Sequence, residues 1–173
     1  IGIGPASQAA NDLIAELRNR CSESVKIAVA GSVRRSVELV GNINIVCAAS
    51  INEVADVIDA FTTLSSVHNV LNHDYTTAEF IDRFGFKYSI KVVSPEAFPG
   101  ALLFATGSVA HNIRLEKLAR DRNIAFTSDG LISSKTGTPE NLPNEQDIYK
   151  RLGLSSIPPH IREDSGEIER AAG

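Results

Sequence analysis

Residues 30–46, with the sequence AGSVRRSVELVGNINIV, hold the densest group of side chains that could bind an anion. Gly31 and Ser32 end a short β-branched run, and Arg34 and Arg35 follow directly. If a helical turn begins at Gly31, its free backbone N–H groups and the guanidinium of Arg35 would suit a phosphate. The same pattern is also typical of an ordinary strand–turn–helix with solvated arginines, so the residues alone leave both interpretations open.

Cysteine and histidine, which often bind metals or act as nucleophiles, form no group in this sequence. Cys21 and Cys47 have no CxxC partner and no nearby His. Cys47 lies in the apolar run INIVCAA, which favours a buried small side chain over a nucleophile. The four His residues, at positions 68, 73, 111 and 160, are scattered, so we predict that none of them is a metal ligand.

A predicted helix over residues 109–122 is rich in lysine and arginine. Its basic residues are Arg114, Lys117, Arg120 and Arg122, and they alternate with Glu116 and Asp121. The pattern fits contact with a DNA backbone, and it fits equally well a solvated helix with salt bridges. The net charge of −4 argues against a surface largely devoted to nucleic acid, although one local basic face is compatible with it.

Length and composition allow one large domain or two small ones. Of the 173 residues, 43% are hydrophobic and 22% are charged, which is the balance of an ordinary globular protein with a real core. The sequence has no run of about 18 apolar residues and no basic-then-apolar leader, so we expect a cytoplasmic protein without a membrane partner. It also contains no Met, and we therefore expect a piece of a longer protein.

Hydrophobic periodicity predicts the elements that must position these residues. Helices are predicted over 5–21, 52–64, 109–122 and 144–152, and strands over 25–30, 42–48, 67–72, 75–81 and 86–93. Alternation along 42–48 puts Asn42 and Asn44 on the same face of their strand, opposite Ile45. Together the elements predict a mixed sheet with helices on one side, in the α+β class.

Beyond residue 93 the sequence predicts a second, smaller mixed domain, with a boundary near 94–100. We expect a short apolar helix that Pro99 and Gly100 interrupt, a small hairpin about Asp129-Gly130, and an extended linker from Ile157 onward. Three polar residues have the type and position of helix N-caps, namely Asn52, Ser108 and Asn144.

Three segments, in matching order and spacing, resemble the family X DNA polymerases, and the likeness covers essentially the whole chain. Residues 30–46 resemble the nucleotidyltransferase signature of Gly-Ser, two Arg and then G-D-x-D on the next strand. FATGSVAHN (104–112) resembles the family's Tyr-Phe-Thr-Gly-Ser segment and its downstream Asn. IPPHIREDSGEIE (157–169) resembles the end of the thumb in bacterial members.

The resemblance implies a nucleotidyltransferase-type palm over residues 1–97, a small α+β thumb over 98–163, and a linker over 164–173 to a missing C-terminal domain. It also implies links in the longer protein to a helix–hairpin–helix domain and a phosphoesterase domain. DNA and a nucleoside triphosphate would be the partners, and DNA repair the context.

Roles for individual residues follow from the resemblance. Ser32 and Arg35 would contact the incoming triphosphate, with Gly31 permitting close approach and Gly41 nearby. The nucleotide sugar would lie beside Phe104 and Gly107, the base edge would meet Asn112, and the DNA backbone would meet Arg114 and Lys117. The resemblance also implies a cis peptide bond between Gly107 and Ser108.

The sequence departs from the family where the family binds two Mg²⁺ with three Asp. Those positions are Asn42, Asn44 and Ser89, which we expect to converge on one sheet face. Neutral amide and hydroxyl groups do not replace the charge of carboxylates, and Ser89 cannot act as the base for a primer hydroxyl. Glu116 stands where an Arg that contacts the template is typical, and Phe104-Ala105 stands for Tyr-Phe. We therefore expect no cofactor and no catalysis.

Three functions follow. The first is an inactive polymerase-like module that binds DNA, nucleotide or both. The second is an active nucleotidyltransferase with Glu38, Glu79 or Asp82 as substitute metal ligands, and the third is an interaction module without ligands. Retention of Ser32 and Arg35, together with Gly107 and Asn112, favours the first, because an interaction module needs none of them.

Overall fold

The computed structural model describes all 173 residues and divides into a large and a small lobe. The large lobe contains α1 (Ile3–Arg20), β1 (Lys26–Ala30), α2 (Gly31–Arg34), β2 (Asn42–Ala48), α3 (Val54–Thr62), β3 (Asn69–His73), β4 (Thr77–Ile81) and β5 (Lys87–Val93). The small lobe contains α4 (Phe98–Thr106), α5 (Val109–Arg120), β6 (Ile124–Thr127), β7 (Gly130–Ser133), α6 (Glu145–Arg151), a 3-10 turn (Pro159–Ile161) and α7 (Glu167–Ala172). The predicted α+β class is confirmed. None of the helices combines the length and apolarity needed to cross a membrane.

The large lobe is built on a five-stranded mixed sheet with the order β1-β2-β5-β4-β3. The central strands β2 and β5 are parallel, and every other neighbouring pair is antiparallel. One face of the sheet packs against α1 and α3, with Leu17, Ile43 and Phe61 fully buried between them. Because side chains alternate along a strand, Asn42 and Asn44 lie on the opposite face, which is the one that meets the small lobe.

Helix α4 joins the two lobes. Its Ala101 packs with Ala30 and Val46 of the sheet, while Gly100 faces the β6–β7 hairpin so closely that a Cβ there would lie 2.8 Å from the Cα of Gly130. Pro99 lies in the first turn, where its missing N–H leaves no hydrogen bond unmade. The prediction that Pro99 and Gly100 interrupt this helix is therefore wrong.

Two of the three predicted helix caps are confirmed. Ser108 Oγ accepts a hydrogen bond from the backbone N–H of His111 at 3.3 Å, and Asn144 Oδ1 accepts one from Asp147 at 2.9 Å. The cap at Asn52 is wrong, because α3 begins one residue later, after Glu53. The carboxylate of Glu53 accepts hydrogen bonds from serine hydroxyls on two sides, and no side chain caps α3.

The residues from Ile157 onward differ from the predicted extended linker. Ile157 and Ile168 are buried in the core of the small lobe, and α7 forms beside them. Glu167 is also buried and lies 2.8 Å from Nδ1 of His111. Tertiary contacts thus fold a segment whose Pro-Pro pair and charges favour extension. The domain limits at 1–97, 98–163 and 164–173 stay a prediction.

Glu145, the first residue of α6, contacts one arginine of each lobe. Its Oε2 accepts a hydrogen bond from Nη1 of Arg34 at 2.5 Å, and its Oε1 accepts one from Nη2 of Arg162 at 2.7 Å. Arg162 is only 2% exposed, and its guanidinium lies 5.3 Å from the ring centre of Tyr149. Charge-assisted hydrogen bonds of this kind are about twice as strong as neutral ones, so they help to fix how the lobes face each other.

Candidate functional site

The three polar positions on the free face of the sheet form one chain of hydrogen bonds. Ser89 Oγ donates to Asn44 Oδ1 at 2.6 Å, and Asn44 Nδ2 donates to Asn42 Oδ1 at 3.1 Å. Asn44 and Ser89 are partners in the register of β2 and β5. The predicted convergence of Asn42, Asn44 and Ser89 is therefore confirmed. Asn44 Oδ1 and Asn42 Oδ1 thus each accept one hydrogen bond from a neighbour within the row.

Charged side chains surround this row. Glu79 of β4 is the register partner of Ser89, so its side chain emerges on the same face. Lys87 and Lys91 flank Ser89 two positions away on that face, and Lys87 Nζ lies 3.4 Å from Glu79 while Lys91 Nζ lies 3.1 Å from Asp129. The row itself thus contains no carboxylate, but the carboxylate of Glu79 and the ammonium groups of Lys87 and Lys91 lie beside it.

Of the three candidate substitute carboxylates, Glu79 alone reaches this face. Asp82 lies in the turn after β4, where its carboxylate accepts hydrogen bonds from Phe84, Phe86 and Tyr88. Glu38 is exposed in the loop before β2. The structure therefore leaves Glu79 as the single acidic neighbour of Ser89 among the three.

Gly31 allows the strand–turn junction to lie against Asn44. It has φ +63°, and a Cβ built on it would lie 2.5 Å from Asn44 Nδ2. The helix that starts here, α2, has only four residues, so its dipole is small and a bound anion would rely on Ser32 and Arg35 instead.

Arg35 spans the gap between the lobes. Its Nη1 donates to the backbone oxygen of Thr106 at 2.6 Å, and its Nε donates to Glu163 at 2.8 Å. The guanidinium also packs against Gly107, where a Cβ would lie 3.0 Å from Nη1. The side chain is 14% exposed, so Arg35 is a held cation and not a freely solvated one.

A cleft of about 710 Å³ opens between the lobes at this place. It brings together eight of the positions predicted to bind nucleotide or to replace the metal-binding carboxylates, which are Gly31, Ser32, Arg35, Asn44, Ser89, Phe104, Gly107 and Asn112. It also includes Lys91, Val109, Ile113 and Ser128, to which the sequence gave no role, because their approach depends on how the lobes pack. Gly41 does not line the cleft.

Asn112 presents a free hydrogen-bond acceptor at the cleft. The residue is 7% exposed, its Nδ2 donates to the backbone oxygen of Phe104 at 2.7 Å, and its Oδ1 has no partner. A buried unpaired oxygen is costly, so a donor on a bound molecule would be favourable there. The peptide bond between Gly107 and Ser108, which forms the adjacent wall, is cis as predicted.

The two residues predicted to contact DNA lie on α5 outside this cleft. Arg114 Nη1 is 3.2 Å from Asp164, and Nη2 contacts Glu169. Lys117 is exposed and has no ion pair. Arg114 is thus already neutralised by acidic residues that follow the 3-10 turn, a contact that no signal in the local sequence predicts.

Comparisons with known proteins agree with this geometry. A family model described as the DNA polymerase beta thumb matches residues 101–163. The DNA polymerase/3'-5' exonuclease PolX of Bacillus subtilis (strain 168) is 31% identical over 169 residues, which cover 96% of this chain. The chain spans only 29% of the length of that curated relative.

Two solved structures of Leishmania infantum polymerase beta share the fold. The ternary P/T complex superposes with a TM-score of 0.81 at 16% identity, covering 94% of this chain and 76% of that one. The ternary gap complex gives a TM-score of 0.82 at 15% identity, with 94% and 70% covered. The mixed sheet and the small lobe are therefore arranged as in polymerase beta.

The comparisons correct the expectation that no cofactor is involved. The relatives are DNA polymerases, which use divalent metal ions. The side chains at the three expected positions do not fit a pair of such ions, because Asn42, Asn44 and Ser89 are neutral and hydrogen-bonded to one another. No group of three or more His, Cys, Asp or Glu side chains elsewhere could hold one.

Replacement of Gly31 tests how tightly the strand–turn junction packs on Asn44. Gly31→Ala and Gly85→Ala both place a side chain at positive φ, but nothing lies within 4 Å of a Cβ at Gly85. We expect Gly31→Ala to lower the free energy of unfolding by about 1–3 kcal/mol more than Gly85→Ala does, because Asn44 must move. Urea denaturation measures both, and equal losses would show that Asn44 yields freely.

Proposed function

Because the chain has the palm and thumb region of a family X DNA polymerase, we propose that it binds a nucleoside triphosphate and DNA without performing templated synthesis. One observation carries this proposal. The cleft between the lobes keeps Ser32, Arg35 and Asn112, while the neighbouring row of Asn42, Asn44 and Ser89 contains no carboxylate. The thumb match over 101–163 supports a palm over 1–97 and a thumb over 98–163.

The cleft walls suit the two ends of a nucleotide. Ser32 and Arg35 offer a hydroxyl and a guanidinium to a phosphate chain. Phe104, Val109 and Ile113 line the same cleft with apolar side chains, against which a sugar and base would pack, and Asn112 Oδ1 would accept a hydrogen bond. The similar polymerase beta structures are ternary complexes, which supports a bound nucleotide as the ligand.

DNA is the second ligand that we propose. Lys117 and Arg120 are exposed on α5 and have no ion pair, and Arg114 lies on the same helix. Phosphate contacts by such residues would give binding that weakens with salt. Glu116 lines the cleft and would repel a template strand that approached it. The curated relative is a DNA polymerase and 3'-5' exonuclease, which supports a role in DNA repair within a longer protein.

Loss of catalysis follows from the charge and proton chemistry of the polar row. A primer hydroxyl needs a base that accepts its proton, and the hydroxyl of Ser89 is no such base near neutral pH. The negative charge that would balance divalent ions at a phosphoryl-transfer site is missing at all three positions. The second candidate function, an active nucleotidyltransferase, depends on Glu79, which lies beside Ser89 but is paired with Lys87.

Calorimetry with a nucleoside triphosphate tests the binding proposal. We expect Arg35→Ala to weaken binding by about tenfold or more, because one charge-assisted contact to phosphate contributes about 1.5–3 kcal/mol. Arg83→Ala is the control, since Arg83 is an exposed cation that lines a different pocket. Titrations with Mg²⁺ and with EDTA report how much of the affinity depends on an ion. Equal binding by Arg35→Ala and the unaltered protein would place the ligand elsewhere.

A primer-extension assay tests the loss of catalysis. We expect no template-directed addition by the protein with Mg²⁺ or Mn²⁺, because Ser89 cannot replace an aspartate as base or ligand. Extension that Glu79→Gln abolishes, and that Glu38→Gln leaves unchanged, would instead establish the active enzyme with Glu79 as its substitute carboxylate.

A further inference from the structure

Acidic residues of one short segment contact Arg35 and Arg114, the two arginines that would bind phosphate in the proposed function. We propose that residues 163–172, here called the strap, occupy Arg35 and Arg114 as a polyanion would, so that a phosphate ligand binds by displacing the strap's carboxylates. The inference rests on the proposed function, because that function makes these arginines ligand-binding groups. It adds an internal competitor that sets the affinity of the cleft.

The first contact lies at the cleft itself. Glu163 accepts the Nε–H of Arg35 at 2.8 Å, although the two residues are 128 positions apart in the chain. A carboxylate and a phosphate use the same hydrogen-bonding edge of a guanidinium. The side chain of Glu163 is 41% exposed while that of Arg35 is 14% exposed. Glu163 can therefore move into solvent while Arg35 stays in place, held by the backbone oxygen of Thr106.

The second contact lies on α5. Arg114 is bound by Asp164, which directly follows Glu163, and by Glu169 in α7. The carboxylates of Asp164 and Glu169 are 30% and 54% exposed. Three acidic residues of the strap thus neutralise two cations on different elements, as successive phosphates of a nucleic acid or a triphosphate would.

A group of buried hydrogen bonds around Glu167, here called the clasp, holds the strap against the small lobe. Glu167 is 2% exposed, accepts the backbone N–H groups of Asp164 and Ser165 at 2.8 and 2.6 Å, and lies 2.8 Å from His111. Burial alone would raise the pKa of Glu167, but these hydrogen bonds lower it, so it is a carboxylate at neutral pH. Burial lowers the pKa of His111, which favours a neutral ring that donates its Nδ1–H to Glu167.

Because of the clasp, the ion pairs of the strap differ from isolated ion pairs on a protein surface. Exposed ion pairs contribute only about 0–1 kcal/mol each, so Glu163 and Asp164 alone would not stay beside their arginines. With Glu167 and Ile168 anchored in the core, the outer carboxylates remain at high local concentration. Each outer pair is weak enough for a phosphate to displace it, while the strap itself stays docked.

Calorimetry with inorganic tripolyphosphate tests the proposal at Arg35. We expect Glu163→Gln to bind about two- to fivefold more tightly than the unaltered protein, because a weak competing ion pair is lost. Glu140→Gln, which removes the partner of Arg151 at a surface pair outside the cleft, should leave the affinity unchanged. Glu163 is half-exposed, so its replacement leaves the core intact, which thermal melting verifies.

The outcomes distinguish the strap from the proposed function. The strap is supported if Glu163→Gln binds tripolyphosphate and the unaltered protein does not, or if Glu163→Gln binds it more tightly. In either case Arg35→Ala must remove the gain. Equal affinity of the two proteins overturns the strap and leaves the proposed function standing. If neither protein binds tripolyphosphate, the proposed triphosphate site and the strap both fail.

A second titration uses a labelled DNA duplex and Asp164→Asn/Glu169→Gln. We expect about two- to fivefold tighter binding and a salt dependence that is steeper by about 0.9, the slope for one additional phosphate contact. The double substitution leaves the clasp unaffected, since Asp164 contributes its backbone N–H to the clasp. An unchanged affinity and slope would overturn the strap at Arg114.

Discussion

The guanidinium of Arg35 lies where the two lobes meet, and three distant parts of the chain converge on it. Its own loop follows Gly31 and Ser32, its Nη1 is bound to the end of α4 at Thr106, and its Nε is bound to Glu163. A cation held in this way would suit the phosphate site that we propose, because little side-chain freedom remains to be lost on binding. From the same hydrogen bonds we infer that Glu163 competes with a phosphate for Arg35.

Hydrogen bonds between neutral side chains stabilise the sheet face beside Arg35. Three carboxylates at these positions would repel one another unless cations balanced them, whereas Asn42, Asn44 and Ser89 are neutral and hydrogen-bond to one another. Asn44 and Ser89 are register partners across β2 and β5, which places their side chains side by side. Binding of a ligand and its chemical conversion have different requirements, so we infer that the cleft keeps the first while the polar row has lost the groups for the second.

Local patterns in the sequence predict the elements and part of the site, and tertiary contacts decide the rest. Alternation along β2 correctly places Asn42 and Asn44 on one face, and the caps at Ser108 and Asn144 follow from residue type. No local pattern predicts that Glu163 meets Arg35, because the contact depends on how the lobes pack. The helix at 167–172 is missed for a similar reason, since burial of Ile168 outweighs a composition that favours extension.

A crystal structure of the protein with a bound nucleoside triphosphate tests most directly the claim that the cleft is a phosphate site. We expect the phosphates to lie within hydrogen-bonding distance of Ser32 and Arg35, with the carboxylate of Glu163 displaced and the Glu167–His111 contact intact. Phosphates bound at another surface, with Arg35 still paired to Glu163, would contradict the claim.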